Sequence, residues 1–203
     1  MKKIYISLLA LVMSFGFATN SNAQGLERGN MVIDAFYGGP NLFKTFMKTS
    51  YTYTTSTNIK AGGIGPVGAR FEYLMSEKIG VGGEVHYAGA FVSYDDTYLG
   101  TQYSYKVSVP RLRIMASLHY YLVNSDNFNL YWMLRAGYGS FSVKYDGGDP
   151  TFGGSSFSVS TPVPIAFRTG FGFRVFFTEN IGIHTEIGFA GGGLLQGGLS
   201  IKL

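Results

Sequence analysis

The chain has 203 residues, a formal net charge of +4 and no cysteine. Charged residues make up 14% of it, against about 25% in soluble domains, while 29 residues are glycine and 16% are aromatic. The small net charge excludes the basic footprint of a nucleic-acid-binding protein, and the lack of cysteine excludes a disulfide scaffold.

The N-terminal segment has the features of a secretory signal peptide. Two lysines precede an apolar run at 4–17, and Ser21 and Ala23 place small residues at −3 and −1 of a cleavage site. The apolar run is shorter than the roughly 20 residues that a membrane-spanning helix needs. We therefore predict a cleaved signal peptide at 1–23 and a single domain at 24–203.

After this segment no apolar run is long enough for a membrane helix. Instead, apolar residues alternate with glycine or polar residues, which is the pattern of a β-strand with one apolar face. The longer segments run for about ten to fifteen residues, whereas strands of soluble proteins usually have about five or six and membrane strands roughly 9–11. In chain order the eight segments are 33–37, 69–75, 79–91, 112–122, 130–138, 163–177, 181–189 and 199–203.

The segment 163–177 decides which face of these strands meets lipid. Its odd positions are almost all apolar, whereas Arg168, Arg174 and two glycines occupy even positions. An arginine at the midplane of a bilayer costs about 2–4 kcal/mol, so the arginines must face a protein interior and the apolar residues must face lipid. The predicted lipid-facing residues are Val81, Val85, Phe167, Phe171, Phe173, Ile183, Ile187, Leu199 and Ile201.

The connections between these segments alternate between long and short. In chain order they are 39–63 (long), 76–78 (short), 94–103 (long), 124–129 (short), 146–160 (long), 178–180 (short) and 191–193, a brief glycine link. Outer-membrane barrels have short periplasmic turns and longer external loops. The sequence therefore predicts an all-β fold, an eight-stranded antiparallel up-and-down transmembrane β-barrel.

Three short motifs carry a resemblance to a known family. They are 37–42 after the first strand, the turn 178–182 that is echoed at 76–80, and the C-terminal strand 198–203. Together they resemble the small OmpA/OmpX-like outer-membrane β-barrels of Gram-negative bacteria, in the form common in the Bacteroidetes. The resemblance implies a bacterial outer-membrane location, contact with outer-membrane lipids, and recognition of the last strand by the barrel-insertion machinery. That signal usually ends in Phe, where this chain has Leu203.

Eleven charged residues, seven basic and four acidic, occupy the face opposite the apolar one. An eight-stranded barrel has an interior just wide enough to be filled by side chains, and buried charges must pair or hydrogen-bond. We therefore predict an ion-pair network that closes the lumen. Its candidate members are Asp34, Arg70, Glu72, Glu84, Arg111, Arg113, Arg135, Arg168, Arg174, Glu186 and Lys202.

Other candidate chemistry is weak. Gly63, Gly65 and Gly68 match a dinucleotide fingerprint by letters, but they enter a strand instead of a helix. The three histidines, His86, His119 and His184, fall on separate strands without metal-ligand spacing, so we predict no metal and no cofactor.

These features favour a structural or surface-interaction barrel that is not an enzyme. The tyrosine- and threonine-rich segments 51–57 and 98–105 either extend the strands above the membrane or offer a surface to a partner, and 42–47 is a candidate amphipathic segment at the membrane interface. A small gated pore is the first alternative, in which the excess of basic groups favours anions. A lipid-modifying enzyme using His184, Glu186 and Ser200, which share the inner face, is the second.

Overall fold

The computed structural model describes residues 25–41, 44–47, 49, 57–98, 101–147, 157–160, 164–190 and 193–203. The predicted signal peptide at 1–23 lies outside the described residues. Within these ranges no helix is both long and apolar enough to cross a membrane. The strands are β1 (Met31–Asn41), β2 (Thr57–Ser76), β3 (Ile79–Tyr98), β4 (Thr101–Asn124), β5 (Phe128–Gly147), β6 (Phe157–Ser160), β7 (Ile165–Phe176), β8 (Ile181–Phe189) and β9 (Gly193–Lys202).

These strands form a closed antiparallel barrel. β1 to β5 pair in chain order, β5 pairs with β7, β7 to β9 follow, and β9 pairs back with β1. β6 pairs with β5 beyond the end of β7, so β6 and β7 are two pieces of one barrel strand. The predicted eight-stranded barrel is therefore confirmed. Closure pairs the barrel portions of these strands on both sides, so no edge is left there.

The two ends of the barrel differ. The short turns at 77–78, 125–127 and 177–180 lie at one end, which we call the turn end, and the opposite end is the loop end. β2 to β5 have 20 to 24 residues each, whereas β1, β7, β8 and β9 have 9 to 12. The surplus projects at the loop end.

This projection, which we call the wall, comprises residues 57–64, 91–98, 101–110 and 141–147. The segment 94–103, predicted as a long connection, lies mostly within it, because β3 and β4 stay paired up to Tyr98 and Thr101. Tyr98 and residues 101–105 belong to these strands, as the strand-extension interpretation of 98–105 predicts.

The two faces of each strand differ as the alternation predicts. On β7, the side chains of Phe167 and Phe171 are 45% and 56% exposed. Arg168, which lies between them in sequence, and Arg174, which follows them, are fully buried. The nine predicted lipid-facing residues all point outward, and most belong to an apolar belt around the barrel. A continuous belt of this kind is the distribution expected of a barrel surrounded by lipid.

An apolar cluster lies at each end of the lumen. The turn-end cluster consists of Leu26, Val32, Leu74, Tyr121, Tyr131, Met133 and Phe176. Leu26 belongs to the segment before β1, and its backbone N–H and C=O are both held by the Asn124 side chain, at 3.1 and 2.7 Å. This pair of hydrogen bonds fixes the N-terminal segment across the turn end.

The loop-end cluster consists of Met47, Ala90, Val92 and Val109, with partly buried neighbours including Ala61 and Val143. Met47 lies in a helical stretch described at 44–47 and 49, and Asn41 caps its start by accepting from the Lys44 N–H at 3.3 Å. Of the predicted amphipathic segment 42–47, the described residues are therefore helical and Met47 packs in the barrel mouth, whereas residues 42 and 43 lie outside the described residues.

Candidate functional site inside the barrel

The four acidic residues predicted for the lumen come from four strands. Asp34, Glu72, Glu84 and Glu186 lie on β1, β2, β3 and β8, and none is more than 3% exposed. They face inward because side chains alternate along a strand and the neighbours of each acidic residue point outward. Buried carboxylates need partners, and arginines supply them here.

Arg70 and Arg135 hold Glu186 and Glu84 between them. Arg135 donates to both oxygens of Glu186 at 2.6 and 2.8 Å, and Arg70 also donates to both, at 2.7 and 3.0 Å. The Nε and Nη2 groups of Arg70 reach the same Glu84 oxygen at 3.1 and 3.0 Å. Bidentate arginine–carboxylate contacts of this kind fix geometry as well as charge. Four strands are thereby joined across the lumen.

Arg174 forms a second centre nearer the turn end. Its guanidinium donates to Asp34 at 2.9 Å, to Glu72 at 3.2 Å and to the Tyr121 hydroxyl at 3.0 Å. Tyr121 in turn donates to Glu72 at 2.7 Å. Asp34 also accepts from Arg70 at 3.0 Å, so one continuous network contains both centres.

Lumen glycines make room for these long side chains. A Cβ on Gly172 would lie 2.5 Å from the ring of Tyr131, whose hydroxyl donates to Glu186 at 3.0 Å. A Cβ on Gly80 would collide with the Glu72 carboxylate. Glycine and arginine therefore occur together at inward-facing positions because the glycines leave space for the long side chains.

The histidines extend the network. His86 Nδ1 is 2.7 Å from Glu84, His119 Nδ1 is 2.9 Å from Glu72, and His184 Nδ1 is 3.0 Å from the Ser200 hydroxyl. Among the described residues, no group of three or more His, Cys, Asp or Glu is arranged to hold a metal ion.

Asp34, His184 and Ser200 contact one another but do not have the geometry of a hydrolytic triad. In a triad the histidine lies between the serine and the carboxylate, and it accepts the serine proton. Here Ser200 donates directly to Asp34 at 2.6 Å, and the same nitrogen of His184 faces both partners. All three are buried in the lumen, away from lipid.

The remaining predicted lumen residues lie apart from these two centres. Towards the loop end, Arg168 donates to the Gly193 carbonyl at 2.7 Å, Arg113 to the Ala190 carbonyl at 2.9 Å, and Arg111 to the Asn41 side chain at 3.3 Å. Arg113 is only partly buried. At the turn end the Lys202 ammonium lies 5.6 Å from the Phe176 ring centroid. The structure thus brings together seven of the eleven predicted residues.

Sequence reasoning missed the neutral members of the network. Tyr121 and Tyr131 are fully or almost fully buried on the inner parity, and Asn41 bridges the Ile64 and Gly89 carbonyls at 2.9 Å each. Parity identifies the two tyrosines, whereas Asn41 has the outward parity of β1 and is buried only because the alternation breaks at Gly39 and Pro40.

Comparisons with known proteins show a fold and no sequence relative. No protein-family model and no curated protein matches this chain. Among solved structures it is similar to the outer membrane protein OprG from Pseudomonas aeruginosa, with 15% identity, 89% of this chain and 98% of that chain covered, and a TM-score of 0.50.

Two further similar structures are Ail, the attachment invasion locus protein of Yersinia pestis in complex with the heparin analogue sucrose octasulfate, and the N-terminal β-barrel domain of P. aeruginosa OprF. Ail has 13% identity, coverage of 87% and 97%, and a TM-score of 0.42. The OprF domain has 14% identity, coverage of 88% and 98%, and a TM-score of 0.41. The fold is that of small outer-membrane β-barrels, as the resemblance in sequence predicts.

Proposed function

We propose that this chain is a bacterial outer-membrane barrel that is closed to solutes and acts through its extracellular end. The observation that carries the proposal is the filling of the lumen. A buried ion-pair network occupies the middle, and an apolar cluster lies at each end. A conducting path would have to separate bidentate arginine–carboxylate contacts in a low-dielectric interior, where lone charges are costly.

The outer surface supports the membrane location. Exposed aromatic and aliphatic side chains surround the barrel on all its strands, and the charged residues of the spanning segments point inward. In this proposal the lipids of the outer membrane contact the apolar belt, the turn end is periplasmic, and β9 serves as the signal for the insertion machinery.

Conductance in planar bilayers tests the closed lumen. The protein is first shown to be folded, because a folded barrel migrates differently on a gel before and after boiling. The folded protein should then give no steady channels. Glu84→Gln, which keeps a hydrogen-bonding side chain but removes one charge from the network, serves as the matched variant. Steady anion-selective channels in the native protein, with an amplitude that changes in Glu84→Gln, would establish the pore alternative instead.

The wall is the surface through which we propose that the protein acts. Its strands continue well beyond the roughly 9–11 residues needed to cross a membrane. Its inner face carries stacked tyrosines, with ring centroids 5.3 Å apart for Tyr94 and Tyr105 and 6.1 Å apart for Tyr105 and Tyr145. Tyrosine gives a large amphipathic contact area at low entropic cost, which suits recognition of a partner.

Single cysteines test the orientation, because the native chain has none. Thr97→Cys places a thiol on the wall, and Glu179→Cys places one in the turn 177–180; both positions are exposed. In intact cells a membrane-impermeant maleimide should label the first variant and not the second, and after lysis it should label both. The reverse pattern would contradict the proposed role of the wall.

A further inference from the structure

The inner row formed by Ser117, Arg135 and Arg168 has buried donors without partners. These residues are successive neighbours in register across β4, β5 and β7. Ser117 Oγ, Arg135 Nε, and both Nε and Nη2 of Arg168 have no hydrogen-bond partner among the described residues. Buried polar groups are rarely left unsatisfied, so such a concentration in one row indicates that something else is bound there.

Arg168 differs from the other deeply buried arginines in what its guanidinium faces. Nε and Nη2 form one edge of the guanidinium fork, the edge that matches two oxygens of a carboxylate, sulfate or phosphate. In Arg70 this edge binds Glu84 at 3.1 and 3.0 Å. In Arg168 the same edge has no partner in the part of the chain that the structure describes, and Nη1 donates to the Gly193 carbonyl at 2.7 Å.

The charges around Arg168 also indicate a missing anionic partner. Arg168 lies directly opposite Arg135, and like charges at paired positions of a sheet repel. Arg135 is already neutralised by Glu186 and Glu84, whereas no ion pair among the described residues includes Arg168. A fully buried guanidinium that contacts no carboxylate is unfavourable.

We infer that the loop-end half of the lumen binds a small free oxyanion on the Nε–Nη2 edge of Arg168, with Arg135 Nε and Ser117 Oγ available as further donors. Gly188 leaves the space for this edge, since a Cβ there would lie 2.9 Å from the guanidinium. Arg113 is partly exposed and donates to the carbonyl of the exposed Ala190. It lies on the solvent side of the proposed anion site and adds positive charge there. The site does not require conduction through the barrel.

The test uses the detergent-folded full barrel and inorganic phosphate as the probe. Thermal unfolding is followed at constant ionic strength while chloride is replaced by phosphate. The midpoint should rise in a saturable way, by roughly 5–10 °C at a hundredfold excess over the dissociation constant. Lys106→Gln, which removes an exposed outer lysine, controls for general salt effects and should behave like the native protein.

Two variants locate the site. Arg168→Gln should abolish the saturable rise, and at low phosphate it should be no less stable than the native protein. Gly188→Ala keeps every charge but displaces the guanidinium, so it should also lose the rise. An equal response of the native protein and Arg168→Gln would mean that water satisfies this arginine, and would overturn the inference. A native-like response of Gly188→Ala would overturn the assigned edge.

Discussion

The turn-end and loop-end halves of the lumen are built from the same strands but satisfy charge in different ways. At the turn end and in the middle, each of the four carboxylates contacts an arginine from another strand. At the loop end, Arg168 and Arg113 donate to backbone carbonyls, and none of the buried carboxylates of the described residues belongs to that half.

The difference follows from how many strands surround each half. All eight barrel strands enclose the turn-end half, so a charge there always faces residues from the opposite side. Among the described strands, β2 to β5, with β6, continue beyond Asn41 and Phe189, and side chains there meet fewer opposing strands. A closed ring favours a saturated, rigid network, whereas a one-sided wall leaves polar groups available to ligands or partners. The following predictions test this contrast.

The largest effect is expected for Glu186→Ala. Glu186 is fully buried and contacts Arg70 and Arg135, so its removal leaves two arginines with fewer counter-charges. Breaking a buried ion pair in this way costs about 3–5 kcal/mol. Denaturant unfolding followed by Trp132 fluorescence should report this loss, while Glu179→Ala in the exposed turn should change stability little. Equal midpoints for the two variants would show that the network adds no stability.

A smaller loss is expected for Tyr121→Phe. The Tyr121 hydroxyl donates to Glu72 and accepts from Arg174, and hydrogen bonds to charged groups contribute about 1.5–3 kcal/mol. The matched control is Tyr73→Phe on the outward face, which is 41% exposed and should leave the unfolding midpoint unchanged. If both substitutions have the same effect, the inner and outer faces do not differ as described.

The turn-end half is also the part that sequence reasoning predicts best. Lipid on one side and a polar lumen on the other impose strict alternation on 112–122 or 181–189, so parity alone identifies which residues point inward. Which inner residues contact one another depends on the stagger of the closed sheet. Arg70 and Glu186, for example, are 116 residues apart and meet only through that closure.

The wall is predicted poorly because lipid no longer constrains it. In β4 between 101 and 110 the residues still alternate, but the apolar set Tyr103, Tyr105, Val107 and Val109 lies on the inner parity, whereas in 112–122 the apolar residues lie on the outer parity. In β2 the register shifts between Ile64 and Val67, which reverses the parity above that point, so Ala61 faces the loop-end cluster. The apolar face therefore changes sides above the barrel, and a search for a continuous outward apolar face does not identify these segments as strands.

A smaller loss of stability than for Tyr121→Phe or Glu186→Ala is expected for Met47→Ala, at the loop end. Met47 is buried in the loop-end cluster, and truncation of a buried methionine at the edge of a core costs about 2 kcal/mol. Phe46→Ala provides the control, since Phe46 is 70% exposed. Because the ion-pair network lies below Met47, planar-bilayer conductance should stay absent in both variants. Channels that appear in Met47→Ala alone would place the closure of the lumen at its mouth.

The smallest effect concerns the pH dependence of the wall, where Asp95 joins three strands. It accepts from Ser104 at 2.8 Å, from Asn58 at 3.0 Å and from Gln102 at 3.1 Å. The hydrogen bonds from Ser104 and Asn58 lower the pKa of this carboxyl. A lowered pKa in the folded state means that the ionised form stabilises the wall above the ordinary aspartate pKa.

This stabilisation should be lost as the pH falls from about 4 through the lowered pKa of Asp95. Because Asp95 is open to solvent, the loss should be local and modest. Amide hydrogen-exchange protection of 93–97 and 102–106, corrected for intrinsic rates, should fall over this range, while that of 181–187 should not. Asp95→Asn should remove the pH dependence of the wall. Equal loss of protection in both regions would mean that the two halves of the barrel respond to acid as one unit.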